Sequence, residues 1–143
     1  MRATVLAYAA GLIDGEGSIT LGRTAGHFGF PVVSMTSTTR ALIDFMLDQF
    51  GGFVCEHTKK TVNHSRAWSW RLNGRNALEF MTSIYPYCFE PEKLRRMYMF
   101  INKYPKVTLR NGKYTAKQRA AKFAFEKEFL KNSRRASCHV GNG

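Results

Sequence analysis

Acidic side chains are scarce in this sequence: ten Asp and Glu stand against 22 Lys and Arg, a formal net charge of +12 over 143 residues. Such an imbalance points to a polyanionic partner, nucleic acid first, although a soluble basic surface or a ribosome-type binder would carry the same charge. The imbalance is local. Residues 1–92 hold eight basic and eight acidic side chains, whereas residues 93–135 hold 14 basic ones against only Glu126 and Glu128. Long apolar runs are missing, which excludes a transmembrane helix, and no membrane partner is expected. The N-terminus lacks an apolar segment bounded by a small-residue cleavage site, so no signal peptide is read. Cysteines are few, odd in number and scattered (Cys55, Cys88, Cys138), which fits a reducing, intracellular setting (cytoplasm or organelle matrix) rather than secretion. Cys55 lies near His57, but no second Cys/His pair completes a zinc spacing, which argues against structural zinc. Repeats and low-complexity segments are also lacking. What remains, 44% apolar residues in a chain of this length, is enough for one domain with a real core.

Periodicity places the elements. Residues 3–14 read as a first helix. Ser18–Thr24 and Phe30–Thr38 alternate in polarity and read as two strands of a hairpin. Thr38 or Thr39 is expected to cap a helix over Arg40–Phe50, ended by Gly51-Gly52. Two more strands follow at Phe53–Lys60 and Ser65–Leu72, then a helix over Arg75–Tyr85 that Pro86 stops. In the fourth strand Trp68, Trp70 and Leu72 share one face, and the tryptophan pair reads as core rather than as a base-stacking platform. A helix over Glu92–Lys103 is expected to break at Pro105. A last helix runs from a Thr115 cap to about Lys131, with Ala120, Phe123, Phe125 and Phe129 apolar and Lys117, Arg119, Lys122 and Lys127 on its charged side. The fold class is α+β: two hairpins make a four-stranded antiparallel sheet with helices on one face and a polar, open second face. An open face of short polar side chains makes sense if a large partner covers it, and a curved β-ribbon can enter a DNA major groove.

The chain is organised around Ala7–Ile19. Ala3, Ala7, Ala10, Gly11 and Asp14 recur at spacings of three and four and so share one helical face. Small residues there let another backbone approach closely. Gly15 and Gly17 flank Glu16, which reads as an acid projected from a sharp turn beyond the helix end. A carboxylate at a helix C-terminus is unfavourable and calls for a compensating cation; a divalent metal on carboxylate and carbonyl oxygens would supply it. If the small face meets a second copy, two such acids come together, a layout for metal-assisted phosphodiester chemistry.

Ala9-Ala10-Gly11-Leu12-Ile13-Asp14-Gly15-Glu16-Gly17 resembles the LAGLIDADG motif of homing endonucleases, with Ala9 for the first Leu, Gly15 for the second Ala and Glu16 for the late Asp. Met35–Gly52, Trp70–Phe80 and Tyr85-Pro86-Tyr87 resemble other segments of single-motif members. The resemblance covers roughly residues 3–104 and implies the αββαββα fold of that family with a sheet that binds DNA; the C-terminal helices are additional to it, and the basic tail from Thr115 on reads as an addition. Residues 1–104 are read as the endonuclease domain, 105–135 as a basic helical extension and 136–143 as a disordered tail.

The resemblance implies a homodimeric, site-specific double-strand DNA endonuclease. Glu16 and the Gly15 carbonyl would hold Mg2+ or Mn2+, with no organic cofactor, and Ala3, Ala7, Ala10, Gly11 and Asp14 would form the dimer face. The implied catalytic set is Glu16, Asp14, Arg40 and a lysine after helix 3. Asp14 is read as a cap on the partner helix or as a tuner of the metals. Counting without a gap places the lysine at Pro91, with Lys93 two residues on able to serve if the loop is longer. Alternation outward from Glu16 nominates Thr20, Gly22, Thr24, Ser34, Thr36, Glu56, Thr58, Lys60, Ser69 and Arg71 for DNA contact. Arg23, Lys59, His64 and Arg66 would meet phosphates. Phe30 and Val32 fall on the same face, and a bulge is expected to remove them. The basic tail is expected to grip backbone outside the sheet. The alternative is a catalytically inactive nucleic-acid binder of the same fold, either a maturase on group I intron RNA or a DNA-binding regulator.

Overall fold

The computed structural model describes residues 2–57, 66–109 and 112–131. In chain order they form α1 (Ala3–Glu16), β1 (Gly17–Gly22), β2 (Phe30–Ser37), α2 (Arg40–Phe50), β3 (Phe53–His57), β4 (Ala67–Asn73), α3 (Gly74–Ile84), a single 3-10 turn (Tyr85–Tyr87), α4 (Pro91–Tyr98), a π-helical turn (Met99–Lys103), α5 (Tyr104–Val107) and α6 (Ala116–Lys131). The four strands make one antiparallel sheet in the order β1-β2-β4-β3. No helix among the described residues is long and apolar enough to cross a membrane.

Directly opposed residues share a sheet face, so the register sorts the strands. Ile19, Val33, Met35, Trp70 and Leu72 face the helices and are buried against Ala9, Ala10 and Ile13 of α1, Ile43 and Met46 of α2, and Phe80, Met81 and Ile84 of α3. The tryptophans lie on this side, and Trp70 Nε1 donates to the Gly51 carbonyl at 2.6 Å. Gly51, at φ +70°, ends α2 as expected. Thr39 precedes that helix, but its hydroxyl makes no cap bond; Ser37 Oγ instead accepts the Thr39 N–H at 3.0 Å.

Four expectations need correction. First, α1 continues to Glu16, and the exit falls at Gly17, where a β-carbon would lie 2.7 Å from the Ile13 Cα. Second, no bulge removes Phe30 and Val32: the β1–β2 register is unbroken from Gly17↔Met35 to Gly22↔Phe30. Both stay on the outer face, and the Phe30 ring occupies the space over Gly22. Third, Pro105 does not break the fourth helix. A proline nitrogen cannot donate and its ring crowds the preceding turn; the widened turn at Met99–Lys103 absorbs this, and α5 continues with Pro105 in its first turn.

Fourth, α6 is rotated relative to its expected polarity. Phe125 and Phe129 enter the common core beside Phe100, but Phe123 is 60% exposed and Ala120 is exposed, while Lys122 and Glu126 are buried. Lys122 Nζ lies 4.0 Å from the Tyr104 ring centroid and donates to Thr108 Oγ1. Burial of this ammonium pushes its pKa down to about 8, against the opposing pull of Glu126. Glu126 accepts from Gly29 N–H at 3.1 Å and pairs with Arg23 at 3.2 Å, so it ties α6 to the β1–β2 hairpin. The helix starts as expected: Thr115 Oγ1 accepts from Gln118 N–H and Gln118 Oε1 accepts from Thr115 N–H, a reciprocal capping box. The proposed tail over 136–143 lies outside the described residues.

Candidate functional site

The C-terminal end of α1 gathers most of the chemistry. Helix geometry leaves its last carbonyls without intrahelical partners and gives that end a partial negative charge. Lys93 crosses from the first turn of α4 to this end, and its ammonium donates to the carbonyls of Ile13 at 2.8 Å and Asp14 at 2.7 Å. The position two residues earlier, Pro91, is the exposed first residue of α4. Glu90 caps the same helix by accepting the Lys93 N–H at 2.6 Å, which fixes the backbone from which the lysine springs. Glu16 is exposed, on the last turn of α1.

Asp14 is engaged within its own chain. Its two carboxylate oxygens accept from Phe89 N–H at 2.8 Å and Glu90 N–H at 3.2 Å of its own chain, anchoring the segment before α4. Cys88 lies beneath this junction. Burial, and secondarily the negative charge of Asp14, push its thiol up to about 12, so it is held as an inert thiol. A cavity of about 430 Å3 opens beside the helix end, lined by Gly17, Ser18, Ile19, Thr20, Glu90, Glu92, Lys93 and Arg96. Arg96 Nη1 donates to the Ile19 carbonyl at 2.7 Å, and Glu92 bridges Arg95 and Arg96. The hydrogen bond from Arg95, seconded by that from Arg96, holds the Glu92 carboxyl below its ordinary range despite partial burial. Sequence reading missed Glu90, Glu92 and Arg96. The Glu90-Pro91 pair, an acidic cap before a proline at the helix start, is the signal that could have found the first of them.

Of the five small-face residues, Ala3, Ala7 and Gly11 are exposed, but Ala10 is fully buried in the chain's own core and Asp14 is occupied as above. The exposed stripe runs instead through Ala3, Thr4, Ala7, Gly11 and Gly15. Added β-carbons at Gly11 and Gly15 would meet nothing within 4 Å.

On the outer sheet face lie Thr20, Ser34, Thr36, Ser69 and Arg71, as alternation requires. Gly22 shares the face but is covered by Phe30, and Thr24 lies beyond β1, in the hairpin turn. Glu56 is on the opposite side. It stands across from Trp68 on the helix-facing side and pairs with Arg66 at 3.6 Å. The β3–β4 register explains this: Phe53, Cys55 and His57 oppose Arg71, Ser69 and Ala67 on the outer face. Thr58, Lys59, Lys60 and His64 lie outside the described residues. Arg40 pairs with Asp44 at 3.1 Å and covers the Trp68 ring at 5.5 Å.

No family model matches the sequence, and no curated protein matches it. Solved structures do. The chain is similar to the LAGLIDADG homing endonuclease I-GzeII in complex with its DNA target (TM-score 0.59, 15% identity, covering 85% of this chain and 43% of that one). It is similar to the group I intron-encoded homing endonuclease I-CeuI complexed with DNA (0.58, 15%, 91% and 68%). It is similar also to I-SmaMI bound to an uncleaved DNA target in the presence of calcium ions (0.51, 21%, 91% and 46%). The chain spans less than half the length of I-GzeII and I-SmaMI. It has the fold of the LAGLIDADG homing endonucleases, and Ala9–Glu16 of the segment Ala9–Gly17 lie on α1.

Proposed function

We propose that this protein is a metal-dependent, site-specific endonuclease of double-stranded DNA that acts as a homodimer. The observation that carries the proposal is the meeting of Lys93 with the Ile13 and Asp14 carbonyls at the end of α1, the latter two residues before Glu16 in the chain, beside a cavity that Thr20 of the polar sheet face also lines. Glu16 and the Gly15 carbonyl would hold the ion, Mg2+ or Mn2+. Among the described residues no three His, Cys, Asp or Glu side chains gather as a ready metal cage. That donor set suits a hard ion that keeps its waters and binds through one carboxylate plus substrate phosphates. Such an ion, when bound, supplies Lewis-acid polarisation of a phosphate and acidifies a water.

The chain's own residues do the rest. An ammonium has three hydrogens; Lys93 uses two on helix carbonyls, which leaves one to meet charge developing on a phosphate. Asp14 and Glu90 hold the segment that carries Lys93. The outer face of the sheet offers Thr20, Ser34, Thr36, Ser69 and Arg71 to base edges. Gly11 and Gly15 support the dimer. Each costs a helix roughly 1 kcal/mol relative to Ala, and nothing among the described residues uses the space they leave. A second α1 packed there would bring two Glu16 residues to the two strands of a duplex.

A second reading, a nucleic-acid binder without catalysis, whether on DNA or on group I intron RNA, is favoured by one feature: most of the Lys93 hydrogens already serve as a helix cap. Selection of a bound duplex, followed by cleavage assays with Mg2+ and with EDTA on wild type and Glu16→Gln, separates the two. Cutting that requires both metal and Glu16 supports the endonuclease. Tight, salt-dependent binding with no cutting by the wild type supports the binder.

A further inference from the structure

At the end of β1 far from Glu16, the β1–β2 hairpin packs on α6, and two cavities adjoin there. Arg23 and Phe123 line one, of about 240 Å3, and Tyr114 and Lys122 line the other, of about 370 Å3. His27, Phe28 and Arg119 line both, so the two make one cleft. Three rings stand in a row along it. The Phe28 centroid lies 5.2 Å from that of Tyr114 and 5.1 Å from that of Phe123, both edge-on. We infer that this cleft is a second nucleic-acid site, separate from the polar sheet face, and that it takes an unpaired nucleotide, with the base on the Phe123 ring and the phosphate toward Arg119. The inference stands whether or not the protein cuts DNA.

The ring row is half open. Phe125 and Phe129 of the same helix are buried, but Phe123 is 60% exposed, more than its edge contact with Phe28 covers. Cations surround the row. Arg23, Arg119 and Lys122 line the cleft, against Glu126 as its one acid among the described residues. That acid is already engaged: it accepts the Gly29 N–H and pairs with Arg23. Arg119 and Lys122 are thus left without a carboxylate partner among the described residues. The cleft is a positively charged trough with an aromatic wall.

An anion that carries a flat apolar ring matches both features. A duplex matches only one. Its bases are stacked inside, so it would offer phosphates to the arginines and leave the rings unused. An unpaired nucleotide has a free base face as well as a phosphate. Bases stacked on aromatic side chains beside a basic groove are how single strands are held, whatever their sequence. The arginine plane can add to the stack.

The test is fluorescence anisotropy of the full chain with a labelled single strand of about eight nucleotides, as DNA and as RNA, and with a blunt-ended duplex. Phe123→Ala should weaken single-strand binding about tenfold, toward the low end of base stacking, and leave duplex binding unchanged. Phe123→Trp, which keeps a ring face, should retain the single strand. Arg119→Ala, at an exposed position, should weaken the strand and lower the salt dependence of its binding. Competition by thymidine monophosphate that is lost in Phe123→Ala would identify a free nucleotide as the occupant; strand binding without such competition would identify a strand. Unchanged single-strand affinity in either folded variant overturns the inference. So does a loss on the duplex as large as that on the strand, which would make the cleft a contact for duplex backbone.

Discussion

Lys93 donates to the backbone carbonyl of Asp14 at 2.7 Å across 79 residues of chain. The contact neutralises the negative end of α1 and fixes the start of α4 against it. A charge-assisted hydrogen bond of this kind contributes on the order of 1.5–3 kcal/mol. Lys93→Met should therefore lower stability by about 2 kcal/mol, seen as a drop in Tm, and should also abolish cleavage of a selected duplex. Lys93→Arg, which keeps the charge but changes donor geometry, should restore most of the stability. If Lys93→Arg also restored full cleavage, a positioned hydrogen on the phosphate would not be needed.

The two glycines of the exposed α1 stripe give a prediction with opposite signs for monomer and dimer. Gly11→Ala and Gly15→Ala place methyls in open space in the single chain. Each should raise the stability of the isolated chain by about 1 kcal/mol. If a second helix packs on this stripe, Gly11→Leu should dissociate the dimer in sedimentation equilibrium without lowering the Tm of the monomer. A dimer that survived the leucine would place the interface elsewhere.

Gly17 behaves differently, because the space its missing side chain leaves is already occupied. A β-carbon there approaches both the Ile13 backbone and side chain within 2.8 Å. Gly17→Ala should cost about 1–3 kcal/mol, the range for overpacking a closed site, measured by denaturant unfolding.

Lys122 makes stability depend on alkaline pH. Its native pKa of about 8 lies below the ordinary 10.5, so between those values the unfolded chain binds more protons than the native one and stability rises with pH. The gain from pH 8 to pH 9 should be about 1 kcal/mol. Above pH 9 it is opposed, because Cys88 and Tyr104 are raised in the native state and the unfolded chain releases their protons first. Lys122→Met, which keeps the stem among Phe28, Tyr104 and Phe125, should remove the rise. An unchanged pH profile in this variant would show that the lysine is solvated.

Removal of α6 should do more than weaken binding to a polyanion. Phe129 is fully buried and its ring centroid lies 4.6 Å from that of Phe100. Phe129→Ala should cost about 3–5 kcal/mol, typical of a large core truncation. A chain ending after Val107 should melt with low cooperativity. Full native stability in that truncated chain would mean that α6 is dispensable.

Much of this was legible in the residues alone. The order of elements followed from the alternation in Ser18–Leu21 and Trp68–Leu72, from the helical spacing of Leu42, Ile43, Met46 and Leu47, and from the turn residues Gly51 and Gly52, because local geometry imposes periods of two and 3.6. The motif Ala9–Gly17 marked the first helix and its acid for the same local reason, but put Glu16 in a turn beyond residue 14, whereas the helix runs on to Glu16. What lies between elements was not legible. Whether Glu56 or His57 looks outward depends on which residue of β3 stands opposite Trp68, and a shift of one residue turns every side chain over. Whether Lys93 could reach the end of α1 depends on a loop tied down by Asp14 from 75 residues away. Whether Lys122 or Phe123 enters the core depends on the Phe28, Tyr104 and Phe100 rings that α6 meets, and no period within α6 records them. The sequence by itself determined the elements and the acid at the helix end. The tertiary structure decided which faces meet, because packing and register are set by contacts between segments far apart in the chain.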